Sequence, residues 1–123
     1  MPAFESVLIV DDNRDSLALL GQLLQALGAK RVYPVASAEE ALDVLEEESF
    51  SIILSDYRLG GMDGVQFLER LRQAGNVTPV LLLSGCPDQE QVIKASGHAR
   101  VDFFPKPFRV AELTGAMERL LAA

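Results

Sequence analysis

The chain has one cysteine, one histidine and no tryptophan in 123 residues. A lone Cys86 excludes an internal disulfide and a thiolate metal cluster, which agrees with a reducing compartment. His98 has no second histidine with which to share a metal. Basic residues are also scarce: 11 Lys and Arg stand against 18 Asp and Glu, for a net charge of −7. That deficit disfavours direct binding to nucleic acid or an anionic membrane, because both require clustered cations to replace counterions. No apolar run approaches the roughly 20 residues that cross a bilayer, and the N-terminal MPAFESVLIVDD has neither a basic n-region nor a cleavage site. The expectation is a soluble cytoplasmic protein whose partners are proteins or small ligands.

What is present is an ordinary globular balance, 49% hydrophobic and 24% charged. The length suits a single domain spanning residues 1–123. Short apolar runs alternate with helical patterns, which predicts an α/β fold with a parallel sheet between two layers of helices. Strand one is Ser6 to Val10, and helix one runs from Asn13 to Leu27, with Leu17, Leu20, Leu24 and Leu27 at helical spacing and Gly28 to end it. Arg31 to Val35 reads as strand two. Ser37 and Glu40 read as a capping box for helix two, which extends to Glu47. Strand three is Ser51 to Ser55, and helix three is Gly64 to Gln73, capped by Asp63 and burying Val65, Leu68 and Leu71. Strand four is Pro79 to Leu83, helix four is Gln89 to Ser96 with Asp88 as its cap, strand five is Val101 to Phe104, and helix five is Arg109 to Leu121.

The chemistry gathers at the strand ends. Asp11 and Asp12 follow strand one, Asp56 follows strand three, Ser84 follows strand four, and Lys106-Pro107 follows strand five. In open α/β sheets the carboxyl ends of the strands form the ligand crevice. Parallel strands would therefore bring three carboxylates and one ammonium to one edge. Like charges about 4 Å apart repel by roughly 1 kcal/mol in water and about 4 kcal/mol at an effective dielectric near 20, so such a cluster wants a cation or a proton. Oxygen donors alone suit Mg²⁺. A phosphoryl group between that ion and Lys106 would be neutralised on two sides, and Asp is an established nucleophile towards phosphorus.

These residues closely resemble the receiver domain of two-component response regulators. The resemblance covers essentially the whole chain and rests on Asp11-Asp12, on Asp56 with Leu59 and Met62-Asp63-Gly64, on Ser84-Gly85, and on Lys106-Pro107-Phe108. It implies a flavodoxin-like (βα)5 three-layer sandwich with strand order 2-1-3-4-5. It implies Asp56 as phosphoacceptor, Asp11 and Asp12 with the Arg58 backbone carbonyl around Mg²⁺, Lys106 pairing with the phosphoryl group, and a Ser84 hydroxyl that moves to bind it. Phe103 falls at the position of the switch aromatic, where core packing and switching are equally open on the residues alone. A cis Lys106-Pro107 bond is implied as well. The implied function is a signalling switch rather than an enzyme with a separate substrate. Such a switch assists its own phosphorylation and dephosphorylation. Its implied partners are a sensor histidine kinase or phosphotransfer protein and a downstream effector or output domain. The face of helix four, strand five and helix five is one through which two copies could pair.

Three departures from the family pattern stand out. Gly60 replaces the common Pro, Ala99-Arg100 replaces Gly-Ala before strand five, and Ser84 replaces the commoner Thr with its hydroxyl kept. Arg58 and Cys86 lie where the family tunes hydrolysis. Two other readings compete. A receiver-like docking module that is never phosphorylated is opposed by the intact Asp11, Asp12, Asp56, Ser84 and Lys106 set. A haloacid-dehalogenase-type phosphatase wants a second Asp two residues after the nucleophile, where this chain has Arg58.

Overall fold

A side-chain period of two in every strand divides the apolar residues of this chain between two cores. In strand β1 (Ser6–Val10), Val7 and Ile9 point to one face while Leu8 and Val10 point to the other. The same split recurs in β3 (Ile52–Asp56), with Ile52 and Leu54 against Ile53, and in β4 (Val80–Ser84), with Leu81 and Leu83 against Val80 and Leu82. A computed structural model describes residues 5–86 and 88–122, apart from the side chains of Gln91 and Ala95, so the N-terminal segment read above is described from Glu5 onward.

Between these strands lie α1 (Arg14–Ala26), β2 (Arg31–Val35), α2 (Ala38–Glu47), α3 (Gly64–Gln73), α4 (Asp88–Ala95), β5 (Val101–Pro105) and α5 (Val110–Ala122). The strands are parallel in the order β2-β1-β3-β4-β5, the flavodoxin-like arrangement. Helices α1 and α5 cover one face through Leu24, Leu113, Ala116, Met117 and Leu120. Helices α2, α3 and α4 cover the other through Ala41, Phe67, Leu68, Leu71 and Ile93.

Local chemistry sets the helix starts. Asn13, Ser37 and Asp63 are the N-caps of α1, α2 and α3, each accepting a backbone N–H three residues on. At α2 the Ser37 half of the expected box is present, while Glu40 is exposed beside Arg14 and Pro34. The full reciprocal box forms at Asp63 and Gln66. Asp88 is the first residue of α4 rather than the residue before it. Helix α1 is less deeply set than its leucine spacing suggests: Leu24 is buried, Leu17, Leu20 and Leu27 are half-buried, and Leu19 is 70% exposed.

Strands β3 and β4 run one residue further than the sequence predicts. Asp56 pairs with Leu83, and Ser84 pairs with Pro105. Both polar residues are therefore the last members of strands, held by the ladder, rather than the first members of loops. Beyond Asp56 the chain folds back on itself, with a short antiparallel bridge between Arg58 and Asp63 and a 2.6 Å bond from the Gly64 amide to the Tyr57 carbonyl. A Cβ on Gly64 would lie 2.8 Å from Leu82 Cδ2 and 3.2 Å from Tyr57 Cα, so only glycine allows this close approach.

Candidate functional site

The strand register brings the ends of β1, β3, β4 and β5 to one edge, and the predicted residues arrive there with it. The Asp11 amide continues β1 by donating to the Val35 carbonyl, Tyr57 N–H donates to the Leu83 carbonyl, and Lys106 N–H donates to the Ser84 carbonyl at 2.7 Å. These bonds fix the backbone beneath each side chain. Carboxylate oxygens of Asp11, Asp12 and Asp56 lie within 4.8 Å of one another. The Lys106 ammonium donates to Asp56 Oδ1 at 3.1 Å. Three carboxylates thus face one ammonium, a net of two negative charges.

The carboxylates differ in setting. Asp11 is buried, Asp56 half-buried and Asp12 exposed. Burial pushes the Asp11 carboxyl above the usual range; the Asn13 amide, donating at 2.9 Å, opposes this, and the nearby Asp56 charge adds to the rise. The donor set consists of oxygens in a region of excess negative charge, which fits a hard divalent cation such as Mg²⁺ and not a metal that prefers sulfur or imidazole. His98 stands elsewhere, lining a cavity of about 200 Å³ with Lys94, Asp102 and Phe103.

The remaining predicted residues are placed as follows. The Lys106-Pro107 peptide is cis. The Arg58 side chain is exposed, and its backbone begins the turn after Asp56. Gly60 in that turn has φ of +82°, a left-handed value proline cannot adopt, so its departure from the family pattern is matched by the backbone. Before β5, Arg100 takes a left-handed φ of 59° where the family commonly has a small residue. Phe103 is half-buried and packs on the α2/α3/α4 side of the sheet. Ser84 is 2% exposed, and its hydroxyl bonds run to the Cys86 backbone and to the Gln89 side chain rather than towards Asp56. Beside Lys106 a cleft of about 470 Å³ opens between α1 and the turn at Pro107-Phe108, with Leu19 on its wall.

The chain matches the response regulator receiver domain family over residues 7–118. It is a receiver domain. Its curated relatives include the response regulator protein FleR of Pseudomonas aeruginosa, 35% identical over 113 residues that make up 92% of this chain and 24% of FleR. A probable chemotaxis protein CheY of Rhizobium etli is 29% identical, with 95% of this chain matched to 92% of that one. This receiver domain thus spans about a quarter of the length of FleR and nearly all of the CheY relative. Among solved structures, CheY4 of Vibrio cholerae is 29% identical with a TM-score of 0.81, covering 94% of this chain and 97% of that one. The receiver domain of the sensor histidine kinase PA1611 of Pseudomonas aeruginosa is 26% identical with a TM-score of 0.81, covering 97% and 98%. That structure has a magnesium ion coordinated in its active site cleft. Among the described residues of this receiver domain, no helix is long and apolar enough to cross a membrane.

Sequence reasoning missed Gln89 and Arg72. Gln89 stood only as the first residue of helix four, and no motif links it to Ser84 five residues earlier. The Arg72 guanidinium donates to the carbonyls of Asn76, Thr78, Ala99 and Arg100 and so ties the turn after α3 to the segment before β5. Only the fold brings those carbonyls together.

The raised Asp11 pKa gives a test of the site without any phosphoryl donor. A carboxyl with a higher folded than unfolded pKa favours the protonated native state, so stability falls as pH rises through the window above the ordinary value of 3.8 and stays lower beyond it. Asp11→Asn keeps an acceptor for the Asn13 amide and carries no charge. In EDTA it should melt at a higher temperature than the parent at pH 7, and the gap should close as pH is lowered towards 3.8. An equal gap at both ends would mean that Asp11 charge is not what costs stability.

Proposed function

We propose that this receiver domain is a phosphoacceptor switch that takes a phosphoryl group from the phosphohistidine of a sensor kinase or phosphotransfer protein onto Asp56 and changes its protein-binding surface in response. The convergence of Asp11, Asp12, Asp56 and Lys106 on one sheet edge carries this reading. Asp11, Asp12 and Asp56, with the Arg58 carbonyl, would hold Mg²⁺, which supplies positive charge to the phosphoryl oxygens when bound. An Asp56 carboxylate oxygen forms the new bond to phosphorus as the N–P bond of the donor breaks, and the departing imidazole keeps the electron pair and takes up a proton. Asp56 is held at a strand end, so its attack geometry costs little reordering. The Asp56 side chain is half-buried and keeps part of its surface open to a donor side chain.

Lys106 is already paired with Asp56, and its ammonium would follow the charge as it moves onto the phosphoryl oxygens. The Ser84 hydroxyl would then donate to a phosphoryl oxygen, and the Phe103 ring would turn into the space this leaves, altering the α4, β5 and α5 face for an effector or output domain. Intact mass after incubation with acetyl phosphate and Mg²⁺, beside an EDTA control, tests the reading. One phosphoryl group gained from acetyl phosphate when Mg²⁺ is present, and none in EDTA, is the expected result; no gain on folded protein would sink it. Lys106→Ala should still take up the group but lose the surface change. Removing one charge-assisted contact of about 1.5–3 kcal/mol shifts the switching equilibrium roughly 10- to 150-fold, which amide NMR shifts on α4 and β5 would report.

A further inference from the structure

Gln89 is a buried polar residue with no part in the switch as derived so far. It is the second residue of α4 and is 9% exposed, and its Oε1 accepts the proton of the Ser84 hydroxyl. Ser84 Oγ in turn accepts the Cys86 N–H at 3.0 Å; the Cys86 carbonyl, 3.2 Å from Oγ, is a second acceptor within reach of the hydroxyl but already accepts the Gln89 backbone amide at 3.2 Å. The end of β4 and the first turn of α4 are thereby joined through one hydroxyl. A hydroxyl has one proton to give. While Ser84 donates to Gln89 it does not donate to a phosphoryl oxygen on Asp56, and its departure leaves the Gln89 oxygen buried without that donor. An unpaired buried acceptor is penalised, so the bond opposes the switch.

We propose that Gln89 is a positioning residue, a latch that holds Ser84 in its resting arrangement and sets how readily a phosphoryl group captures it. The proposal rests on the role given to Ser84 above. It also supplies the link outward: capture of Ser84 releases the first turn of α4, so the charge event at Asp56 reaches the helix through this side chain. The latch is a property of this chain's Gln89, and the strength of the switch should follow the residue placed there.

The test is a titration of the full chain with beryllofluoride at saturating Mg²⁺, read by amide NMR shifts. Gln89→Met keeps the length and loses the oxygen, and it should bind beryllofluoride about tenfold more tightly, the equivalent of losing a restraint of about 1.4 kcal/mol. Mg²⁺ affinity without beryllofluoride should not change, because Gln89 touches none of the carboxylates. In a Ser84→Ala background the Gln89 substitution should have no effect. Unaltered affinity in Gln89→Met, the same gain with and without the Ser84 hydroxyl, or a matching change in Mg²⁺ affinity would each overturn the latch. Should Ser84→Ala alone fail to weaken beryllofluoride binding, the role of Ser84 falls and the latch with it; a weakened Ser84→Ala with no Gln89 effect removes the latch alone. Gln89→Leu repeats the measurement if the Met variant does not fold.

Discussion

Asp56→Asn is expected to reduce phosphoryl uptake from acetyl phosphate to background while the protein stays folded. The amide has no anionic oxygen with which to attack phosphorus, and no other residue at the site can replace it: Asp11 is buried and engaged with the Asn13 amide, and Asp12 is exposed without the Lys106 partner that Asp56 has. The fold should survive because the Asp56 backbone, not its side chain, makes the ladder to Leu83. Removing one of three clustered carboxylates also relieves repulsion with Asp11. The thermal midpoint should therefore hold or rise in EDTA. Intact mass of the wild type and the variant, side by side, decides the matter. A phosphoryl group appearing on the Asn variant would show that the acceptor is another residue.

Phe67→Ala should cause the largest loss of stability of any single change considered. Phe67 is fully buried at the centre of the core that α2, α3 and α4 form against the sheet. Truncating such a ring removes its transfer energy and leaves a cavity, typically about 3–5 kcal/mol. Against a total of roughly 5–15 kcal/mol, that is about a fifth of the stability or more, and the midpoint of thermal unfolding should fall by roughly 10–20 °C. Leu19→Ala is the control. Both residues are apolar and helical, yet Leu19 is 70% exposed and its loss should stay within about 0.5 kcal/mol. Urea midpoints with unchanged slopes would measure both. A Phe67→Ala loss below about 1 kcal/mol would contradict the packing of α3 described above.

The contrast between Phe67 and Leu19 shows where reading a sequence stops. Periodicity identified α3 and its buried Val65, Leu68 and Leu71 but left out Phe67, which stands one helical turn before Leu71 on the same face and widens the buried stripe. The structure buries Phe67 fully, in the same core as Ala41 of α2, Ile93 of α4 and the sheet residues Leu8, Ile53 and Leu82. Helix α1 goes the other way. Its leucines repeat at helical spacing, but it borders the open cleft by Lys106 and buries fewer of them. How wide a stripe a helix hides depends on its neighbours, which periodicity does not contain.

The order of the elements, the parallel sheet, and the arrival of Asp11, Asp12, Asp56 and Lys106 at one edge were all legible in the residues. Each of these follows from local signals: short β-branched runs, capping residues, and polar residues at strand ends whose common destination follows from parallel strands. Tertiary structure alone decided what those residues face. It placed the Ser84 hydroxyl on Gln89 and the Arg72 guanidinium on four carbonyls from two separate segments. It also gave Asp11 a raised pKa through burial. A hydrogen bond between side chains on different elements, like the burial of a charge, depends on distances that only the packed chain sets, and residue spacing carries no record of them.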